Sequence, residues 1–149
     1  ILPSTRRLIA VAGSPYPMHD QWGIPSQIFV GTLEGLTDEN RQRFNRRMCG
    51  GKRYKQLYDI LSERPTTELR DELQSVYDSL ATTEAPEATP HSSLAWDLAI
   101  IGERDQIFPA KNLSTLWDAV NVPTLLLPDG YHYLFDLWHS WSELWKSLE

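Results

Sequence analysis

The stretch from Leu94 to Phe135, LAWDLAIIGERDQIFPAKNLSTLWDAVNVPTLLLPDGYHYLF, decides how this chain folds. Two short apolar runs, Trp96 to Ile101 and Val122 to Leu127, are each followed by a glycine-bearing turn. The first turn presents Asp105 and the second His132. Between the runs Leu113, Leu116, Trp117 and Val120 recur at helical spacing, so the order is strand, helix, strand. A chain makes parallel neighbours in one sheet this way, with both strand C-terminal ends on the same edge. Ligands of open α/β sheets bind beyond that edge. An acid and an imidazole held there can pair, and they make up two thirds of a nucleophilic triad.

Composition sets the outer limits. At 149 residues and 41% apolar content the chain suits one globular domain. No run approaches the roughly 18 uncharged apolar residues of a membrane span, and a net charge of −6 argues against general nucleic-acid binding. A single cysteine, Cys49, excludes an internal disulfide and fits a reducing, cytoplasmic setting. The mean charge hides a segregation: Arg41, Arg43, Arg46, Arg47, Lys52, Arg53 and Lys55 form a stretch without one acidic residue. Such a patch on an acidic protein selects for acidic partners.

Upstream, Arg7 to Gly13 (RLIAVAG) reads as a buried strand entering the turn Gly13-Ser14-Pro15. With two other strand candidates its sheet is small and its first edge bare, a liability for a lone domain. The reading therefore expects the C-terminal part of a longer protein, with Ile1-Leu2-Pro3 the tail of an earlier element.

From Tyr16 to Pro90 the spacing turns helical. Ile28, Phe29 and Leu33 share one side after Ile24-Pro25. Thr37 is the expected N-cap of the next helix, with Asp38 and Glu39 at its positive end. Phe44 and Met48 mark that helix's buried side, Arg46 points away from it with Arg43 and Arg47 beside it, and Gly50-Gly51 ends it. Tyr54 to Leu61 predicts a short helix. Pro65 starts another, with Leu69, Leu73, Val76, Tyr77 and Leu80 as its stripe. Ala81 to Ser93 reads as a linker. Leu134 to Leu148 predicts an amphipathic C-terminal helix whose tryptophans, Trp138, Trp141 and Trp145, pack on the sheet.

Two sets of motifs carry a resemblance. Gly102-Glu103-Arg104-Asp105-Gln106-Ile107-Phe108-Pro109 and Asp129-Gly130-Tyr131-His132 resemble the acid turn and histidine loop of α/β-hydrolases, whose order is nucleophile, acid, histidine. Ala12-Gly13-Ser14-Pro15-Tyr16-Pro17, His19-Asp20-Gln21-Trp22-Gly23-Ile24-Pro25 and Phe44-Asn45-Arg46-Arg47-Met48-Cys49 resemble, more narrowly, the BioG-type pimeloyl-acyl-carrier-protein methyl ester esterases of biotin synthesis. The resemblance implies an α/β fold that is the C-terminal portion of an α/β-hydrolase. It comprises about three parallel strands with flanking helices: a core strand and turn over 1–15, a helical lid insertion and linker over 16–93, and the core carrying acid and histidine over 94–149.

It further implies that Asp105 and His132 are catalytic and that the substrate is an ester borne on acyl carrier protein. The first strands, oxyanion donors and serine would then belong to the N-terminal part of the same protein, leaving these residues inactive alone. No serine here stands in G-x-S-x-G: around Ser14, Ala12 and Tyr16 replace the glycines and Pro15 removes an N–H, so Ser14 reads as a turn residue. Cys49 reads as a small buried hydrophobe.

Each assignment has a plainer alternative. Asp105 could simply cap its turn and His132 bond backbone. Asp97, Asp118 and Asp129 fit the acid's role less well by position, and His19, His91 and His139 lack a spaced partner. No histidine pair has metal-ligand spacing with a carboxylate, so no metal and no cofactor is expected. Arg43, Arg46 and Arg47 are the candidates for carrier docking, against a solvated helix face. Two other functions stay open: a non-enzymatic module whose basic helices bind an acidic partner, and a thioesterase or general esterase of the same fold.

Overall fold

The computed structural model describes residues 7–51, 54–60, 63–81, 89–92 and 94–148. Ile9–Val11 (β1), Leu98–Gly102 (β2) and Thr124–Leu127 (β3) form one parallel sheet in the order β1-β2-β3. Ile9 pairs with Leu98 and Ala99 with Thr124. The central strand, LAIIG, has no polar side chain, which is what a strand covered on both faces needs.

Successive residues of β2 serve opposite faces. Ala99 and Ile101 join Ala10, Trp22 and the inner side of α5 (Ala110–Ala119), supplied by Leu113, Leu116 and Trp117. Ile100 joins Ala12, Leu134 and Leu144 on the other face, with Leu125, Leu127 and Trp138 packed around them. Leu113, Leu116 and Ile101 are wholly enclosed, and burial of each contributes about 2 kcal/mol. The parallel sheet with helices on its faces is the architecture expected from the strand, helix, strand pattern.

Among the described residues four α-helices lie between β1 and β2: α1 (Ser26–Glu34), α2 (Asp38–Met48), α3 (Lys55–Ile60) and α4 (Thr66–Ala81). The Thr37 hydroxyl accepts from the Asn40 N–H at 3.2 Å, capping α2. Gly50 and Gly51 take φ of +83° and +116° beyond its end, a left-handed region open to glycine without strain. The α4 stripe from Leu69 to Leu80 is half-buried, and this helix packs on α1.

Local departures from the expected pattern have identifiable causes. On α2 the most buried residues are Arg41 and Asn45, while Phe44 and Met48 are half-buried. The Arg41 guanidinium donates to the Arg64 carbonyl and the Thr66 hydroxyl, and the Asn45 amide donates to the Tyr58 carbonyl. Polar groups can face inward here because their bonds are met by α3 and the start of α4. Arg41 is thus an internal strut. Ile28 is exposed, although Phe29 and Leu33 are buried as expected.

The C-terminal helix is not continuous from Leu134. Phe135–Leu137 forms a 3₁₀ turn, Trp138 is extended, and α6 runs only over Trp141–Ser147. Ser140 caps α6 by accepting from the Glu143 N–H, and the Glu143 carboxylate accepts from the His139 N–H. His139 therefore precedes the helix. Leu144 and Leu148 face the sheet cluster. Of the tryptophans only Trp138 packs as expected; Trp141 and Trp145 sit on the flank of that stripe, 66% and 47% exposed. The expectations for residues 1–6, 82–88 and 93, and for Lys52, Arg53 and Leu61, lie outside the described residues.

Candidate active site

The turns after β2 and β3 meet at the C-terminal edge of the sheet. At the first, Asp105 Oδ1 accepts from the backbone N–H groups of Ile107 and Phe108 at 2.7 and 2.9 Å. Its other oxygen, Oδ2, lies 2.9 Å from His132 Nδ1. Asp105 thus caps its own turn with one oxygen and faces His132 with the other. A carboxylate only accepts, so Nδ1 carries the hydrogen, and in the neutral imidazole Nε2 then presents its lone pair. Among the described residues Nε2 has no hydrogen-bond partner.

The Asp105 side chain is 0% exposed and that of His132 is 23% exposed. The acid is therefore shielded while the imidazole reaches the surface. The Phe108 ring lies nearly parallel to the imidazole at 5.8 Å between centroids. This arrangement can accept a proton at Nε2 and stabilise the resulting imidazolium through the buried carboxylate.

Two glycines let the turns approach. A side chain added at Gly102 would place its Cβ 2.5 Å from the Gly130 carbonyl oxygen, and one at Gly130 would fall 2.9 Å from Gly102 Cα. The backbones also bond directly: the Arg104 N–H donates to the Gly130 carbonyl at 2.9 Å and the Glu103 N–H to Leu127 at 3.0 Å. Arg104 and Asp129 add an exposed ion pair at 2.9 Å. In the sequence these glycines are legible only as turn markers. Their pairing across two strands cannot be read from local spacing.

The remaining candidates are occupied elsewhere. Ser14 donates its hydroxyl to the Trp22 carbonyl and accepts from the Tyr16 N–H, at 2.7 and 2.9 Å, which fits a turn residue. Asp97 precedes β2 and accepts from the Leu8 N–H, and Asp118 lies on α5. His19 stacks on Trp22 and its Nδ1 accepts from two backbone N–H groups, while His91 bonds Tyr16. Among the described residues no His, Cys, Asp or Glu cluster has the makings of a metal site.

Cys49 is buried, and that burial, followed by the charge of Asp136, pushes its thiol above the ordinary range. A protonated, enclosed thiol is a poor nucleophile. Iodoacetamide at neutral pH should leave Cys49 unmodified in the folded protein and alkylate it after denaturation, as read by intact mass. Rapid native labelling would contradict this.

Beside the paired turns a cleft of about 750 Å³ opens between α1 and α2, with Gln106 and Tyr131 on its wall. Ile28 and Phe44 give it an apolar side, and Arg43, Arg46 and Arg47 a cationic one. Arg43 pairs with Glu39 at 3.2 Å. Among the described residues Arg46 and Arg47 have no ion pair, and the Arg47 guanidinium lies 5.9 Å from the Phe44 ring centroid. The structure thus places all three arginines in one wall, next to the residues that adjoin Asp105 and His132.

Comparison with known proteins agrees with this architecture. A crystal structure of BioG from Haemophilus influenzae superposes with a TM-score of 0.79 at 31% identity, covering 97% of this chain and 64% of that one. An uncharacterised protein of Haemophilus influenzae is 34% identical over 136 residues, which is 91% of this chain and 60% of that protein. A malonyl-[acyl-carrier protein] O-methyltransferase of Bacteroides fragilis is 39% identical over 132 residues, 86% of this chain and 25% of that protein. The chain thus spans about a quarter and three fifths of the lengths of these two relatives. The model of one family, pimeloyl-ACP methyl esterase BioG, matches residues 4–144, and the chain belongs to that family.

Proposed function

We propose that the protein containing this chain is a serine carboxyl-ester hydrolase that removes the methyl group from a pimeloyl chain held on acyl carrier protein. The observation that carries this reading is the buried Asp105 carboxylate bonded to His132 Nδ1, with Nε2 left to act. In that role Nε2 takes the proton of a serine as its oxygen attacks the ester carbonyl. The same proton then goes to the departing methanol. Water, deprotonated in turn by His132, releases the acyl group as a carboxylate and restores the serine.

The serine belongs, in this proposal, to a part of the protein outside these residues, together with strands that continue the sheet beyond β1. Residues 16–93 are, in this proposal, a helical lid insertion and linker between core elements at 1–15 and 94–149. The relative named for methyl transfer is matched over 25% of its length, and the acid and imidazole are suited to cleaving an ester, so esterase chemistry is the reading adopted. A thioesterase of the same fold would use the same pair on a different acyl bond.

Arg43, Arg46 and Arg47 are the proposed contact with the acidic carrier, supported by the uncompensated charge of the last two. Replacing Arg46 and Arg47 together by Glu should slow cleavage of the carrier-bound ester about tenfold or more and flatten its salt dependence, while sparing a small soluble ester. Steady-state kinetics on the two substrates decides the matter. Equal loss on both would point to a damaged lid rather than a lost docking surface. Cleavage of neither by the wild-type intact protein would favour a binding module.

A further inference from the structure

The end of α2 is joined to the histidine turn by more than proximity. The Tyr133 N–H donates to the Met48 carbonyl at 3.0 Å, so the last turn of α2 and the residue after His132 share a backbone bond. Two residues on, Gly50 abuts the ring of Tyr131, on the other side of His132 in sequence. A Cβ on Gly50 would overlap that ring, with Cγ at 2.5 Å and Cε2 at 2.7 Å. Gly51 supplies a natural contrast. It too has positive φ, yet a Cβ there would meet nothing within 4 Å among the described residues.

The two sequence neighbours of His132 are thus both held by one helix end. Asp105 aligns His132 through Nδ1, but that single bond fixes neither the backbone of the turn nor the direction of Nε2. The Met48 carbonyl and the Gly50 surface supply two further fixed points, one at each neighbour of His132. An aromatic ring against a Cβ-free backbone also holds its place without a flexible side chain to give way.

We infer that Gly50 and Tyr131 are positioning residues for His132, so that the C-terminal end of α2 sets the direction of the imidazole. The inference rests on the catalytic role proposed above for His132. It makes the helix bearing Arg46 and Arg47 part of the same rigid unit as the proton-transferring group.

The test uses the intact protein and a small soluble ester. Gly50→Ala should lower kcat on the order of 10²-fold with little change in KM, since misplacement by about 1 Å has that cost. Gly51→Ala carries backbone strain of the same kind but no overlap with the ring, and should retain kcat. In a Tyr131→Ala background, the added effect of Gly50→Ala should shrink to that of Gly51→Ala. Tyr131→Ala alone makes no demand on space, and should both reduce kcat and broaden or shift the low-field proton resonance of the Asp105–His132 hydrogen bond.

Equal effects of Gly50→Ala and Gly51→Ala, or a Gly50→Ala penalty undiminished by Tyr131→Ala, would overturn the inference. So would an unaltered resonance and kcat in Tyr131→Ala, a result that is readable even if Gly50→Ala fails to fold. Full turnover in His132→Ala would instead remove the catalytic reading beneath it, leaving the resonance to report on positioning alone.

Discussion

Replacing His132 by alanine in the intact protein should reduce ester cleavage on the order of 10⁴- to 10⁶-fold, with the fold preserved. The imidazole is 23% exposed, and among the described residues its ring bonds Asp105 alone, so its removal leaves little structure behind to fail. What it does leave is a buried carboxylate with one oxygen unserved, and a modest loss of stability is expected from that. Asp105→Asn should cost about 10⁴-fold by a different route. An amide nitrogen can donate to Nδ1, which fixes the tautomer with its hydrogen on Nε2 and leaves no base. Steady-state rates with matched circular dichroism separate loss of chemistry from loss of fold. Wild-type turnover in both variants would end the catalytic assignment.

The second large effect is expected at Gly102. Its added Cβ would meet the carbonyl oxygen and carbon of Gly130 at 2.5 and 2.7 Å and the Tyr131 carbonyl oxygen at 2.7 Å, all backbone atoms. Backbone cannot rotate away as a side chain does, so Gly102→Ala has to part the two turns. The bonds from Glu103 to Leu127 and from Arg104 to Gly130 then lengthen together. Overpacking of this kind costs about 1–3 kcal/mol or more, which lowers Tm by roughly 6 °C or more at the upper end of that range. The same separation pulls Asp105 from His132, so turnover should fall on the order of 10²-fold beyond any loss of folded protein. Thermal melts and kinetics on Gly102→Ala test both parts. Unchanged Tm and rate would show that the turns have slack the structure does not display.

The core of this architecture was written locally. Apolar runs of strand length around Ile100 and Leu125, with Leu113, Leu116 and Trp117 at helical intervals between them, leave one economical arrangement, and the sheet has it. The meeting of Asp105 with His132 is legible for the same reason, because parallel strands bring successive turns to one edge. What escaped depends on partners far away in sequence. Arg41 looked like surface charge, and only the carbonyl of Arg64 and the hydroxyl of Thr66 make it an interior residue. The closeness of Gly102 to Gly130, and of Gly50 to Tyr131, is likewise tertiary.

The broken C-terminal helix is a different case. Ser140-Trp141-Ser142-Glu143 has the Ser-x-x-Glu form of a helix start, and the Ser140 cap is present in the structure. Apolar spacing from Leu134 onward masks that signal in the sequence. The capping chemistry was the better guide.

Whether Asp105 and His132 serve a serine lying outside these residues can be read by labelling the intact protein with a fluorophosphonate and mapping the modified peptide by mass spectrometry. A single modified serine outside the 149 residues of this chain is expected, with labelling lost in His132→Ala. Modification at Ser14 or another serine within the chain, or labelling that persists without His132, would contradict it.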